Sequence, residues 1–495
     1  MLYIVEIFVE IMSPILLFSF VIVYFLILLT VAWYTGRNSN NESFFIGNKS
    51  SNWMLVAFGM LGTSLSGVTF VSVPGAVAKE SFAYFQVTLG YLIGYIVIAY
   101  VLLPLYYRLN LTSIYNYLSG RLGFASYKTG ASFFILSRVL GATSRLYLVV
   151  KILQDATLES FHVPFWVTTL IILLMILLYT YEGGVKTIVW TDTLQTTCML
   201  AGLIICIVYI LSNLHLGIGN SIAAMSEKGY SKIFFADPNS KLFFVKQILA
   251  GAFITVTMTG MDQEMMQKNI SVKTLKDSQK NVITMGVILM FVILIFLFLG
   301  GLLYLYATQQ NVTATGDKLF PEIALNHMPP IVSVIFIIAL ISALFPSADG
   351  AITALTSTFC IDILGMQRST KWDDAKKKKI RQRVHLSFAF IFLLFVMMYK
   401  WINNPSMIGV ILKIASYTYG PLLGLFTFGI ITRRKVNDKL VPVVCVAAPL
   451  ICFIIDRFQK EIFGSFEIGL ELLIINGLIT FIGLWFVSHS EKLNT

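Results

Sequence analysis

Polar residues inside the long apolar stretches of this chain gather at a few positions. Glycines and hydroxyl residues cluster at 59–69, and a second group, Pro-Ser-Ala-Asp-Gly, occupies 346–350. Two arginines, Arg138 and Arg145, and one acid, Asp192, complete the set. A charge or a broken helix within hydrocarbon is costly, so such positions usually mark where a protein handles a polar solute or an ion.

The cluster at 59–69 can supply oxygen ligands to a small cation. Glycine weakens a helix, and Pro74 removes a backbone hydrogen bond nearby. A helix opened here exposes carbonyl oxygens which, together with hydroxyls, suit a small hard cation. Close helix packing through small residues is the alternative interpretation, and the segment alone leaves both open.

The group at 346–350 places a carboxylate, Asp349, within the predicted ninth span. Such an acid needs a cation, a proton or an arginine as its partner. Ala343 and Ser347 are four residues apart and share a helix face, and Pro346 frees one backbone carbonyl. A proline kink with a protonated, structurally bonded Asp349 is the alternative.

The remaining charges also have two interpretations each. Asp192 either steers a cation or pairs with a basic neighbour. Arg138 and Arg145 are seven residues apart and point to one side of their helix. Arg138 lies deeper, where it either binds a substrate carboxylate or forms an internal ion pair. Arg145 lies nearer the helix end and can extend its charge to the membrane surface.

Composition identifies lipid as the solvent. The 495 residues are 57% hydrophobic and 12% charged, with a mean hydropathy of +0.81. A soluble domain has about twice that charged fraction. The net charge of +11 comes mainly from residues between the apolar stretches. Membrane topology explains this distribution better than nucleic-acid binding does.

The pattern predicts an all-α integral membrane protein with about thirteen transmembrane helices in a single domain. Lys and Arg are concentrated after the odd-numbered spans, which predicts an outside N-terminus and an inside C-terminus. The predicted spans are 14–34, 52–78, 83–107, 125–152, 163–180, 185–212, 242–262, 276–307, 330–364, 382–402, 405–431, 440–456 and 468–487.

A second weak helix is predicted at 255–262, where threonines and Gly260 precede Asp262. Two interrupted helices five spans apart suggest two inverted repeats, 52–212 and 242–431. The helix at 14–34 and two helices at 440–487 are then additions to the repeats.

Other functional classes fit less well. We find no His, Cys and carboxylate constellation that an enzyme would need. A channel would require rings of pore-lining charge in an oligomer. A carrier that functions as a monomer is therefore favoured, and a transporter-like solute sensor is the second candidate.

The segment 183–195, Gly-Gly-Val-Lys-Thr-Ile-Val-Trp-Thr-Asp-Thr-Leu-Gln, resembles the signature of the sodium:solute symporters. This family includes sodium-coupled carriers of glucose, proline, iodide and sialic acid. The resemblance runs from about 14 to 435 and implies a leucine-transporter-like fold of two inverted five-helix repeats, with Na⁺-driven uptake by alternating access. Shorter similarities lie at 35–37, 44–47, 65–70, 262–263, 267–268 and 359–363.

The resemblance also implies the sodium ligands. The matching positions are Gly62, Leu65, Ala343, Ser347 and position 346, while Asp192 matches an acidic residue near a second sodium site. Pro346 replaces a residue that often carries a hydroxyl, and Asp349 stands where relatives tend to have Ser or Thr. We hypothesise that Asp349 supplies the anionic oxygen that Pro346 cannot. A proton at Asp349, and hence proton coupling, is the alternative.

The substrate positions implied by the resemblance are Ser64, Ser66, Thr69, Tyr84, Thr88 and Arg138. Sialic acid carriers share the arginine at 138, which meets the substrate carboxylate, but have an amide where this chain has Thr88. The missing amide counts against sialic acid itself, and the expected solute is a small polar molecule, anionic or polyhydroxylated, such as a sugar or a sugar acid. We expect the protein to lie in a bacterial inner membrane.

Overall fold

The structure is a computed structural model that describes residues 14–36, 44, 45, 49, 51–368, 372–401 and 406–489, except the side chains at 182, 183 and 186. Within these residues, nine helices are long and apolar enough to cross a membrane, and two bent helix pairs raise the number to eleven. Two further apolar helices are shorter. A multi-pass, mainly helical membrane protein is therefore confirmed, while the count of thirteen spans stays a prediction.

The helices that correspond to the predicted spans are numbered in chain order. They are α1 (Pro14–Gly36), α2 (Trp53–Gly75), α3 (Tyr84–Arg108), α4 (Phe124–Leu153), α5 (Phe165–Tyr181), α6 (Thr187–Leu214), α7a (Phe244–Gly260), α7b (Gln263–Ile270), α8 (Leu275–Gln309), α9 (Pro330–Ile363), α10 (Asp374–Tyr399), α11a (Met407–Thr418), α11b (Gly420–Ile431), α12 (Val441–Arg457) and α13 (Leu472–Phe486).

Shorter elements connect these helices. A two-stranded antiparallel sheet pairs β1 (Lys435–Val436) with β2 (Ser488–His489), in the register Lys435 to His489. The short helices of four or more residues are Val77–Glu80, Asn116–Arg121, Ile218–Glu227, Leu319–Asn326 and Gln459–Phe463.

Helix α2 is interrupted where its sequence is weakest. Ser66 has φ 44° and ψ 163°, which is not helical, between two helical segments. Gly62 lies one turn earlier against the hydroxyl of Thr196 in α6, so that a Cβ at this position would overlap it. The predicted break in α2 is confirmed, and the same glycine-rich run also allows the close helix packing that was the alternative.

Helix α7 is also broken, as predicted from 255–262. Its first part ends in a π-turn at Val256–Gly260, and α7b then leaves at an angle of 66°. Asp262 caps α7b by accepting hydrogen bonds from the backbone N–H groups of Glu264 at 2.9 Å and Met265 at 3.2 Å. The predicted end of the seventh span at 262 is wrong, because α7b continues to Ile270 and every residue in it is buried.

Helix α9 lies at the centre of the molecule and packs against α2, α4, α6 and α10. Its residues from Ala339 to Thr358 are buried. The outer helices α1 and α12 instead expose many large apolar side chains, as lipid-facing helices do. The predicted polar group at 346–350 is therefore enclosed by protein rather than exposed to lipid.

Candidate ion and solute site

Six charged side chains are buried together where α2, α4, α6, α7b and α9 meet. Four are carboxylates and two are cations, and each is no more than 4% exposed. We call this group the charged cluster. Its members are Arg138, Asp192, Asp262, Glu264, Lys268 and Asp349.

Lys268 of α7b joins α2 to α6. Its Nζ donates hydrogen bonds to Asp192 Oδ2 and to Thr63 Oγ1, both at 2.7 Å. The same nitrogen lies 3.6 Å from Glu264 Oε1, one turn away on its own helix. Of the two roles predicted for Asp192, the structure shows the pair with a basic neighbour, which is Lys268.

Arg138 of α4 is held by the start of α7b. Its guanidinium donates to Glu264 Oε2 and lies 3.6 Å from Asp262 Oδ2. The hydroxyl of Tyr419 also donates to Asp262 Oδ2, at 2.7 Å. Of the two roles predicted for Arg138, the structure shows the internal ion pair.

Asp349 accepts a hydrogen bond from the hydroxyl of Tyr179 in α5 at 2.7 Å. It lies within electrostatic reach of Asp192, Lys268 and Glu264. The next residue, Gly350, packs so closely on Glu264 Oε1 that a Cβ there would overlap it. Asp349 is therefore part of the charged cluster, although no cationic side chain of the described residues forms an ion pair with it.

The charged cluster contains more acidic than basic side chains. With all six groups ionised, four carboxylates and two cations give the cluster itself a net charge of minus two. Two carboxylate oxygens of the cluster, Asp192 Oδ1 and Glu264 Oε1, accept no hydrogen bond in the described part of the chain, although Lys268 Nζ lies 3.6 Å from the second. Unsatisfied hard oxygens in a negative environment fit a small cation such as Na⁺.

The predicted sodium ligands do not all project to one point. Gly62 and Leu65 precede the break in α2, and Ala343 and Ser347 are buried on one face of α9. Asp349 lies two residues beyond Ser347, about 200° around the helix. In the described residues, no three Asp, Glu, His or Cys side chains converge as metal ligands. Most oxygen ligands of a bound Na⁺ would then come from backbone carbonyls and side-chain hydroxyls.

A cavity of about 90 Å³ lies beside the charged cluster. Five of the six predicted substrate residues line it, namely Ser64, Ser66, Thr69, Tyr84 and Arg138. Thr88 does not line it; this residue is buried, and its hydroxyl donates to the backbone carbonyl of Tyr84 at 3.1 Å. The cavity wall further includes Thr63, Tyr91, Tyr95, Arg145, Thr255, Met258, Thr259, Leu289, Ile293, Ile408, Ile411 and Leu412.

Glu264, Lys268 and Tyr179 were not predicted as site residues. The first two lie in α7b, beyond the predicted end of the seventh span, and Tyr179 is an ordinary aromatic residue in an apolar helix. The available signal was the four-residue spacing of Glu264 and Lys268, which places both on one helix face. The similarities at 35–37 and 44–47 include residues 37, 46 and 47, which lie outside the described residues.

Comparison with known proteins places this arrangement in a family. Residues 44–439 match the sodium:solute symporter family. The chain is 23% identical over 457 residues to a sodium/sialic acid symporter from Aliivibrio fischeri, covering 90% of this chain and 88% of that protein. It is 24% identical over 420 residues to sodium-coupled monocarboxylate transporter 1 from Mus musculus, covering 81% and 66%.

A solved structure supports the same fold. A Na⁺-coupled sialic acid symporter superposes with a TM-score of 0.81 at 18% identity, covering 96% of this chain and 99% of the other. The leucine-transporter-like architecture implied by the resemblance agrees with this match. The chain belongs to the sodium:solute symporter family, whose members are transporters rather than enzymes and use Na⁺ as the coupling ion.

Proposed function

We propose that this protein takes up a small, polar, anionic organic solute together with Na⁺ by alternating access. The observation that carries the proposal is the charged cluster, in which four buried carboxylates face two cations. Buried charge must be compensated, so a cation entering the cluster is stabilised there. The adjoining cavity supplies the place for the solute.

Sodium is proposed to use two sets of oxygens. The first set is the pair of carboxylates Asp192 and Asp349, of which Asp192 Oδ1 lacks a hydrogen-bond partner in the described residues. The second set comprises oxygens at the break of α2 and on the facing turn of α9. These are contributed by Gly62, Leu65, Ala343 and Ser347.

The cavity favours an anionic solute with polar groups. Its wall contains two guanidinium groups, Arg138 and Arg145, and hydroxyls from several Ser, Thr and Tyr residues. Guanidinium groups bind carboxylates through paired, charge-assisted hydrogen bonds. The relatives named for sialic acid and for monocarboxylates both carry acids, which supports the same class.

Two residues link the ion region to the solute region. Thr63 lines the cavity and accepts a hydrogen bond from Lys268, while Arg138 lines the cavity and pairs with Glu264. A solute that contacts either residue changes the electrostatic balance of the charged cluster. Solute and Na⁺ are then coupled through residues that contact both regions. Bound solute should raise the affinity for Na⁺, and bound Na⁺ should raise the affinity for the solute.

Proton coupling is the second candidate. Asp349 accepts from Tyr179 and has no cation beside it in the described residues, so a bound proton can also neutralise it. Uptake driven by a pH gradient without sodium would favour this candidate. The proposed setting is a bacterial inner membrane, with the monomer as the functional unit.

Thermal unfolding of the purified protein tests sodium binding. Na⁺ alone should stabilise the protein, since ligands stabilise by mass action. A screen of sugars, sugar acids, amino acids and vitamins should then identify a solute that stabilises it further in the presence of Na⁺. Asp349→Ala should abolish the stabilisation by Na⁺. Asp155→Ala removes a surface carboxylate that pairs with the exposed Lys151 and should leave the stabilisation by Na⁺ intact. Unchanged sodium stabilisation in Asp349→Ala would exclude this residue as a ligand.

A further inference from the structure

The two arginines of the cavity differ in their ion pairs with other residues of the protein. Arg138 is neutralised by Glu264 and Asp262. Arg145 lines the same cavity, is half-buried, and forms no hydrogen bond or ion pair with any described residue. Seven residues separate the two along α4, which places Arg145 about 10 Å farther along the same helix face.

No carboxylate of the described residues lies within ion-pair distance of Arg145; Asp262 and Glu264, which are paired with Arg138, act on it from farther away. The phenols of Tyr84 and Tyr91, whose oxygens are 3.0 Å apart and hydrogen-bonded to each other, line the same cavity. The cavity wall also includes the apolar residues Ile408, Ile411 and Leu412. An unpaired guanidinium in such an environment is costly, and a bound anion would remove that cost.

We propose that Arg145, rather than Arg138, is the residue that binds the carboxylate of the solute, and that the solute is a small organic acid. This inference rests on the proposed function of the same cavity. Arg138 then acts as a positioning residue, because its guanidinium holds Asp262 and Glu264 at the start of α7b. The carboxylate would accept paired hydrogen bonds from the fork of Arg145.

The cavity wall also offers contacts to the rest of the acid. The hydroxyls of Tyr84 and Tyr91 can bond a polar group on such an acid, and the apolar wall can contact its carbon chain.

Uptake into proteoliposomes under a sodium gradient tests the assignment. Propionate, lactate and gluconate are each compared with their neutral amides, which keep the size and remove the charge. In the unmodified protein, uptake of at least one of these acids should exceed uptake of its amide at least tenfold. Arg145→Gln should lower that preference at least tenfold, and Arg145→Lys, which keeps the charge without the fork, should retain part of it.

Two outcomes would overturn the inference. The first is that Arg145→Gln still takes up the acid in preference to its amide. The second is that the unmodified protein takes up no acid faster than its amide. Stabilisation by Na⁺ alone should be unchanged in Arg145→Gln, which shows that the variant is folded. If the unmodified protein shows no stabilisation by Na⁺, the proposed function itself fails, independently of Arg145.

Discussion

At the scale of single residues, Lys268 and Arg138 are the internal cations of the charged cluster. Each touches more than one carboxylate, and neither contact is exposed to water. Breaking a buried ion pair by removing one partner is strongly destabilising, because the other charge is left uncompensated. An additional cation must therefore bind to the cluster while Lys268 and Arg138 keep their ion pairs.

Lys268→Met should destabilise the protein by about 3–5 kcal/mol, because it leaves Asp192 buried without its cation. Unfolding in detergent with increasing denaturant measures the change. The double variant Lys268→Met/Asp192→Asn removes both charges and should recover much of the lost stability. If the double variant loses as much unfolding free energy as the two single variants together, the two side chains are not coupled. That result would contradict their 2.7 Å contact.

The sequence identified some of these residues but not their partners. Asp192 and Asp349 stood out because acids are rare in apolar segments. The pairing of Arg138 remained open because Glu264 lies more than a hundred residues away in the chain, in a helix that hydropathy did not detect. Contacts between distant segments depend on tertiary packing, which local patterns do not encode.

At the scale of elements, the interrupted helices α2 and α7 place backbone and side-chain oxygens beside the charged cluster. Both breaks were predicted from glycine, hydroxyl and proline residues, and both are present. Helix α7b was missed because it has eight residues and a polar sequence. A membrane span is recognised by about 20 apolar residues, a criterion that a short polar helix cannot meet.

The break in α2 can be tested through Ser66, whose positive φ favours glycine. Ser66→Gly should relieve backbone strain of about 1–3 kcal/mol and raise the unfolding temperature. Ala57→Gly lies in the regular part of the same helix and should lower stability by about 1 kcal/mol. Equal destabilisation by both glycines would indicate that residue 66 is helical in the protein.

At the scale of the whole molecule, the fold that this chain shares with a sialic acid symporter structure at 18% identity encloses the charged cluster. Composition alone predicted the membrane class, because lipid is the only solvent that suits so many apolar residues. The predicted inverted repeats and the orientation of the termini stay predictions. The terminal residues 1–13 and 490–495 lie outside the described residues.

The most direct test of the central claim is uptake of a radiolabelled small organic acid, such as lactate, into proteoliposomes with each gradient imposed separately. We predict accumulation with an inward sodium gradient at equal pH, and loss of that accumulation in Asp192→Asn. Accumulation driven by a pH gradient in the absence of sodium, or sodium-driven accumulation that persists in Asp192→Asn, would contradict the account.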